Sequence, residues 1–303
     1  MATTVSATVS GPTAAPAPVA RRARAGDLDT FYLDVPGDGP ALVLLHGLSA
    51  NAHSFGGLIA AGLDRHFHVI APDLRGRARS AKPESGYLMA DHARDVIALL
   101  DLLGLDRVTI AGHSFGGYLG IYLAANFPDR VERLVVIDSA ITTHPRIGVM
   151  LKPSLDRLTR VQPSAAAYLA DVRGAAYLEG AWDEHVEQYF RAEVQENPDG
   201  TAQSLTSAAA IGQAAVGLSM EPWLHWVQHV EQPVLLLNAL GPYGPAGAPP
   251  LMDEISARAT ARAFPDGEYV AVPGNHITMM FGDGAAAISR EIERFVFGAN
   301  GAR

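Results

Sequence analysis

Along this chain, short unbroken apolar runs alternate with stretches whose apolar positions recur every three to four residues. The runs are Ala41-Leu-Val-Leu-Leu-His46-Gly47, His68-Val-Ile-Ala-Pro-Asp73, Arg107 to Ala111, Arg133-Leu-Val-Val-Ile-Asp138, Gln232-Pro-Val-Leu-Leu-Leu-Asn238 and Glu268-Tyr-Val-Ala-Val-Pro-Gly274. A run with no polar alternation suits a strand buried on both faces, as in a parallel sheet. Residues 30–36 predict a short edge strand. Between the runs, Val96, Leu99, Leu100 and Leu103 keep helical spacing up to Gly104, a C-terminal stop. Helical patterns also leave Gly116 and end at Pro128, cover Glu254 to Ala263, and run from Ala285 to Phe297. Strands alternating with helices predict an α/β fold with a mostly parallel sheet covered on both faces.

The rhythm changes after Ser139. Residues 140–221 carry no strand-like run; they read as helices broken at Pro145, Pro153 and Pro163. The core is therefore expected in 27–139 and 222–303. Residues 1–26 are small and Pro-rich and end in Arg21, Arg22 and Arg24, so a disordered tail is predicted there. Its basic residues follow the small ones, the reverse of a secretory signal, and a cytoplasmic protein is expected.

Composition narrows the chemistry. With 303 residues, 48% of them hydrophobic, the chain can build a sizeable core. A net charge of −9 argues against nucleic acid or an anionic membrane as partner. There is no cysteine, so disulfides, thiolate metal sites and a cysteine nucleophile are excluded. His225 and His229 stand four apart, a spacing that could ligate zinc. No third ligand is evident near them, and a solvated helix face is expected instead.

The sharpest pattern is Val108-Thr-Ile-Ala-Gly112-His113-Ser114-Phe115-Gly116-Gly117-Tyr118. An apolar strand enters Gly-x-Ser-x-Gly and an Ala/Leu-rich helix leaves it, so Ser114 sits on a tight strained turn. Gly112 and Gly116 remove side chains that would collide there. The Phe115 N–H lies in the first helical turn, where unpaired amides and the dipole favour an anion.

This stretch resembles the nucleophile elbow of the α/β-hydrolase fold family. The resemblance implies a serine hydrolase with a helical cap over 140–221, inserted after the sixth strand. It implies that the His46-Gly47-Leu48 loop gives a second oxyanion donor, the Leu48 N–H, beside that of Phe115. The His46 side chain is expected to pin the loop. His46, Gly47, His113 and Trp182 are named as candidate substrate contacts, although the His113 ring should turn away from the serine. Of the large cap residues Met150, Leu151, Tyr168, Tyr177, Trp182 and Phe190, each is expected more in the cap's own core than against substrate. The segment Asp73-Leu-Arg-Gly-Arg-Ala78-Arg-Ser80 is similar to the family's Asp-x-x-Gly-x-Gly-x-Ser loop, with Ala78 where glycine is usual, and Asp73 as its anchor. His276, just past the last strand, stands where the family keeps its general base.

The acid departs from the family pattern. Relatives usually place Asp after the seventh strand, but the loop 241–250 holds no carboxylate. Asp138, at the end of the sixth strand, keeps the order Ser…Asp…His and is the favoured acid. Asp253 at a helix start is the competitor, and a Ser–His dyad with Asn238 as a neutral orienter is a third option. The implied reaction is hydrolysis of small-molecule carboxylic esters through an acyl-serine, with no metal or organic cofactor. Lactone, amide or carbon–carbon bond cleavage would use the same residues, and so would a ligand-binding protein that has lost turnover. Ser114 excludes the relatives whose elbow nucleophile is Asp.

Overall fold

The computed structural model describes residues 17–245 and 247–298. Ten strands form: β1 (Val19–Ala25), β2 (Leu28–Val35), β3 (Ala41–Leu45), β4 (His68–Pro72), β5 (Val108–His113), β6 (Val131–Ile137), β7 (Val194–Glu196), β8 (Ala202–Ser204), β9 (Val234–Ala239) and β10 (Gly267–Val272). Eight of them make one sheet in the order β1-β2-β4-β3-β5-β6-β9-β10. β1 and β2 are antiparallel to their neighbours and every other pairing is parallel, so the sheet is mostly parallel. β7 and β8 form a separate two-stranded antiparallel ribbon.

Period-two alternation decides what each face covers. On β3, Leu42 and Leu44 join one core cluster, while Val43 and Leu45 join the other. All four are fully buried, as the unbroken apolar run requires. The first cluster lies under α1 (Gly56–Ala60) and α10 (Gly282–Phe297). The second lies under α2 (Met89–Leu103) and α3 (Phe115–Asn126), and further along the sheet under the helices Trp223–Gln228 and Glu254–Ala263. Residues between β6 and β9 form α4 (Ile147–Arg157), α5 (Ala165–Arg173), α6 (Glu184–Arg191), α7 (Ala208–Met220) and α8 (Trp223–Gln228), with the ribbon between α6 and α7; α9 is Glu254–Ala263.

Two expectations are corrected. The tail predicted over 1–26 lies outside the described residues up to residue 16, but residues 19–25 are β1, paired throughout with β2. The edge of the sheet is thus β1, and the strand expected at 30–36 is one position inside it. The segment 140–221, read as free of strands, contains the β7–β8 ribbon. No described helix is long and apolar enough to cross a membrane.

Candidate active site

The site grows from the junction of β5 and α3. Ser114 has φ 53° and ψ −118°, a left-handed value that costs a non-glycine residue of the order of 1–3 kcal/mol. Its neighbours permit so sharp a turn only because they lack side chains. A Cβ on Gly112 would overlap the Gly116 carbonyl, and one on Gly116 would overlap the Leu45 carbonyl. Helix and central strands therefore touch backbone to backbone, and Ser114 is left at the carboxyl edge of the sheet. A Cβ on Gly47 would stand 3.5 Å from the Cβ of Ser114, so the loop after β3 lies directly against the serine. Among the described residues, no hydrogen bond engages the amides of Leu48 or Phe115.

His276 follows β10 and is buried, as is Asp138 after β6. Its Nδ1–H donates to Asp138 Oδ2 at 2.6 Å. The other carboxylate oxygen, Oδ1, accepts from Asn238 Nδ2 at 2.7 Å and from the Ala239 amide at 3.0 Å. Asp138 also has φ 53°, a conformation that Asp tolerates better than most residues. Asp253 is elsewhere: it caps α9, accepting from the Ser256 amide at 2.8 Å and from the Ser256 hydroxyl at 2.8 Å. Asn238 meets Asp138 rather than the imidazole, and its Oδ1 accepts from Tyr269 OH at 3.1 Å.

Ser114 and His276 line one cavity of about 70 Å³, together with Gly47, Leu48 and His113. His113 does not turn away as expected. It packs its ring 4.7 Å from that of His276, and its Nε2–H donates to the His276 carbonyl at 2.8 Å. Burial pushes its pKa down to about 3, so it adds no charge beside His276. His46 is not a cavity residue. Its Nδ1–H donates to Gly47 O at 2.8 Å and its Nε2 accepts from the Leu74 amide at 2.9 Å, which pins the loop. Trp182 is not one either; it stacks on Phe190, ring centroids 6.0 Å apart, and Phe190 reaches the cavity in its place.

The segment between β6 and β9 supplies the opposite wall. Leu151, Tyr177 and Phe190 line it, while Met150 and Tyr168 do not. Further lining residues carried no local sequence signal, among them Arg157, Tyr189, Tyr243 and Met280. Tyr243 stands edge-on to His276, ring centroids 5.7 Å apart, and stacks on Tyr177 at 5.1 Å. Arg157 Nε donates to the buried Glu193 Oε1 at 3.0 Å, and Nη1 reaches Tyr177 OH at 3.4 Å. Two asparagines tie this wall to the core: Asn51 Nδ2 donates to Tyr189 O at 3.2 Å, and Asn275 Nδ2 to Tyr177 O at 2.8 Å. His225 and His229 pack ring on ring at 4.1 Å on the far side of the sheet. Among the described residues, no group of three His, Asp or Glu is placed to hold a metal ion.

Comparison with known proteins follows the same lines. The family model described as alpha/beta hydrolase fold matches residues 40–283. A 2-(acetamidomethylene)succinate hydrolase of Mesorhizobium japonicum is 31% identical over 260 residues, covering 84% of this chain and 87% of that one. The solved structure of an E-2-(acetamidomethylene)succinate hydrolase superimposes with a TM-score of 0.80 at 26% identity, covering 92% of this chain and 99% of the other. An uncharacterized protein of Mycobacterium tuberculosis is 40% identical over 109 residues, 36% of this chain, and the match spans 32% of that relative's length.

Two measurements check this geometry. Ser114→Gly and Ser114→Ala both delete the hydroxyl, but only glycine relieves the backbone. Ser114→Gly is expected to be the more stable by about 1–2 kcal/mol, read from urea midpoints at equal slope. The second concerns acid. Burial holds His46 and His113 at about 3 and His53 at about 4, and holds His92 well below its usual value. All four titrate near 6.5 once unfolded, so their contribution is complete above that pH and lost as pH falls from there toward 4 and 3. Each adds a slope of about 1.4 kcal/mol per pH unit. Asp73, raised by burial to about 6, has the opposite sign and cancels one of them between its two pKa values. Urea unfolding from pH 7 to 4 is expected to show falling stability, with a slope reduced by about one proton in His113→Gln.

Proposed function

The chain belongs to the alpha/beta hydrolase fold family, and from that premise we propose that it is a serine hydrolase cleaving carboxylic esters of small molecules through an acyl-serine. The observation that carries this reading is the Asp138–His276 hydrogen bond at 2.6 Å beside a cavity that also holds Ser114. With Nδ1–H committed to Asp138, the other imidazole nitrogen, Nε2, is the one left to accept a proton. In the proposed cycle, Ser114 Oγ attacks the acyl carbon while its proton passes to His276. The carbonyl oxygen becomes an oxyanion against the Leu48 and Phe115 amides, and Asp138 stabilises the imidazolium. His276 then protonates the leaving alkoxide, the acyl-serine forms, and water repeats the sequence to release the acid. Asn238 and the Ala239 amide fill the second oxygen of Asp138, so the carboxylate can turn only its Oδ2 to the histidine.

The wall opposite the serine refines the substrate. Glu193 takes only Nε of Arg157, and among the described residues nothing engages Nη2. An arginine on a cavity whose lining also includes the apolar Leu151, Phe190, Met280 and Phe281 suits an acyl group ending in a carboxylate. The relative named for a succinate supports the same substrate class.

Ser114→Ala and His276→Ala are each expected to lower kcat on p-nitrophenyl acetate by about 10⁶, and Asp138→Asn by about 10⁴. Asp253→Asn should stay near wild type, and an active Asp138→Asn with an inactive Asp253→Asn would reverse the assignment of the acid. For the substrate class, the comparison is p-nitrophenyl acetate against the mono-p-nitrophenyl ester of succinic acid. Arg157→Gln is expected to lower kcat/KM for the succinyl ester about tenfold more than for the acetyl ester, one charged hydrogen bond's worth. Equal losses on both would remove the carboxylate preference and leave the esterase reading standing.

A further inference from the structure

We infer that Arg77, in the loop after β4, is a positioning residue for the oxyanion site, seating both residues that supply its amides and laying a fixed positive charge behind them. The inference rests on the hydrolase reading above. Arg77 is 0% exposed. Its Nε donates to the carbonyl of Leu48 at 2.9 Å, and its guanidinium carbon lies 4.9 Å from the centre of the Phe115 ring. One side chain therefore touches both residues assigned to the oxyanion site. Its Nη1 is shared between Arg75 O at 2.7 Å and His92 Nε2 at 2.6 Å, while Nη2 has no partner among the described residues.

The histidines around this cation are neutral. His92 donates its Nδ1–H to Leu88 O at 2.9 Å, which leaves Nε2 as a neutral acceptor for Arg77. The His92 ring closes edge-on against Phe115 at 5.0 Å. His46, below the same loop, is likewise neutral, with both nitrogens engaged. Burial lowers the guanidinium only to about 9, so it is charged at neutral pH. None of its hydrogen bonds is to a carboxylate among the described residues.

Such a burial is costly, and it is held here by hydrogen bonds to neutral acceptors rather than by a counter-ion. What the charge can do is electrostatic. In a buried site, a positive potential behind the two amides favours the oxyanion of the tetrahedral state and does little for a neutral ester carbonyl. An interaction felt only in the transition state appears in kcat rather than in KM. A purely structural arginine would instead move stability, or move both constants together.

The test begins with wild type, labelled at Ser114 by a fluorophosphonate and assayed on p-nitrophenyl acetate; failure at that stage would remove the hydrolase reading itself. In an active enzyme, Arg77→Met is expected to lower kcat about 30-fold with KM within about threefold. It should weaken an aryl trifluoromethyl ketone, which forms an anionic hemiketal on the serine, by the same factor. Arg77→Lys, which keeps the charge but not the Leu48 bond, should fall between the two. A folded Arg77→Met with kcat within twofold of wild type, or with its loss confined to KM, overturns the inference. Should that variant not fold, wild type alone decides. The Arg77 Nε–H resonance is expected to shift when the ketone adduct forms and not when a neutral amide analogue binds, and an unmoved resonance also overturns it.

Discussion

The structure depends on how closely a helix can be brought to a strand. At the elbow, α3 lies on the ends of β3 and β5 with carbonyls where side chains would otherwise be, because Gly112 and Gly116 have none. That contact forces Ser114 to φ 53° and fixes where its hydroxyl leaves the backbone. It also brings the His46–Leu48 loop against the serine, so the proposed nucleophile and both candidate oxyanion amides are set by one steric event. Two fully apolar core clusters on either side of the sheet bear the cost.

Asp138, the proposed acid, follows β6 rather than β9. Asn238 and Ala239 occupy the end of β9, and their donor groups meet the carboxylate that β6 sends across. A negative group at the end of β9 as well would face Asp138 at close range, with repulsion magnified by burial. Asn238 at that position and Asp138 on the neighbouring strand are thus two halves of one arrangement. Tyr269, bonded to Asn238, extends it by one residue.

Much of this was legible in the chain because it is local. A buried parallel strand is a run of apolar residues, and the elbow is a strand, a Gly-x-Ser-x-Gly and a helix in immediate succession. Asp138 could be favoured because the loop 241–250 contains no competitor. β1 was not legible: Val19-Ala-Arg-Arg-Ala-Arg-Ala is largely exposed and is held as a strand by its partner β2 rather than by an apolar pattern. β7 and β8 are three residues each, too short for a period to register. The cavity wall was least legible, since Arg157, Tyr189 and Tyr243 come from separate elements and meet only in the folded chain. Trp182 was one candidate contact among the large residues of 140–221, but it stacks on Phe190, and Phe190 lines the cavity instead.

The two asparagine ties have a historical consequence. Asn275 immediately precedes His276 and holds the Tyr177 carbonyl, while Asn51, in the loop after β3, holds that of Tyr189. Neither asparagine reads a side chain; each reads only where a backbone carbonyl lies. Side chains on that wall, the buried Arg157–Glu193 pair excepted, could therefore be exchanged without breaking these two ties, giving new selectivity on an unchanged chassis. Transplanting a whole foreign segment would be harder, because its carbonyls would have to arrive at the same two points or the loops after β3 and β10 would lose their moorings.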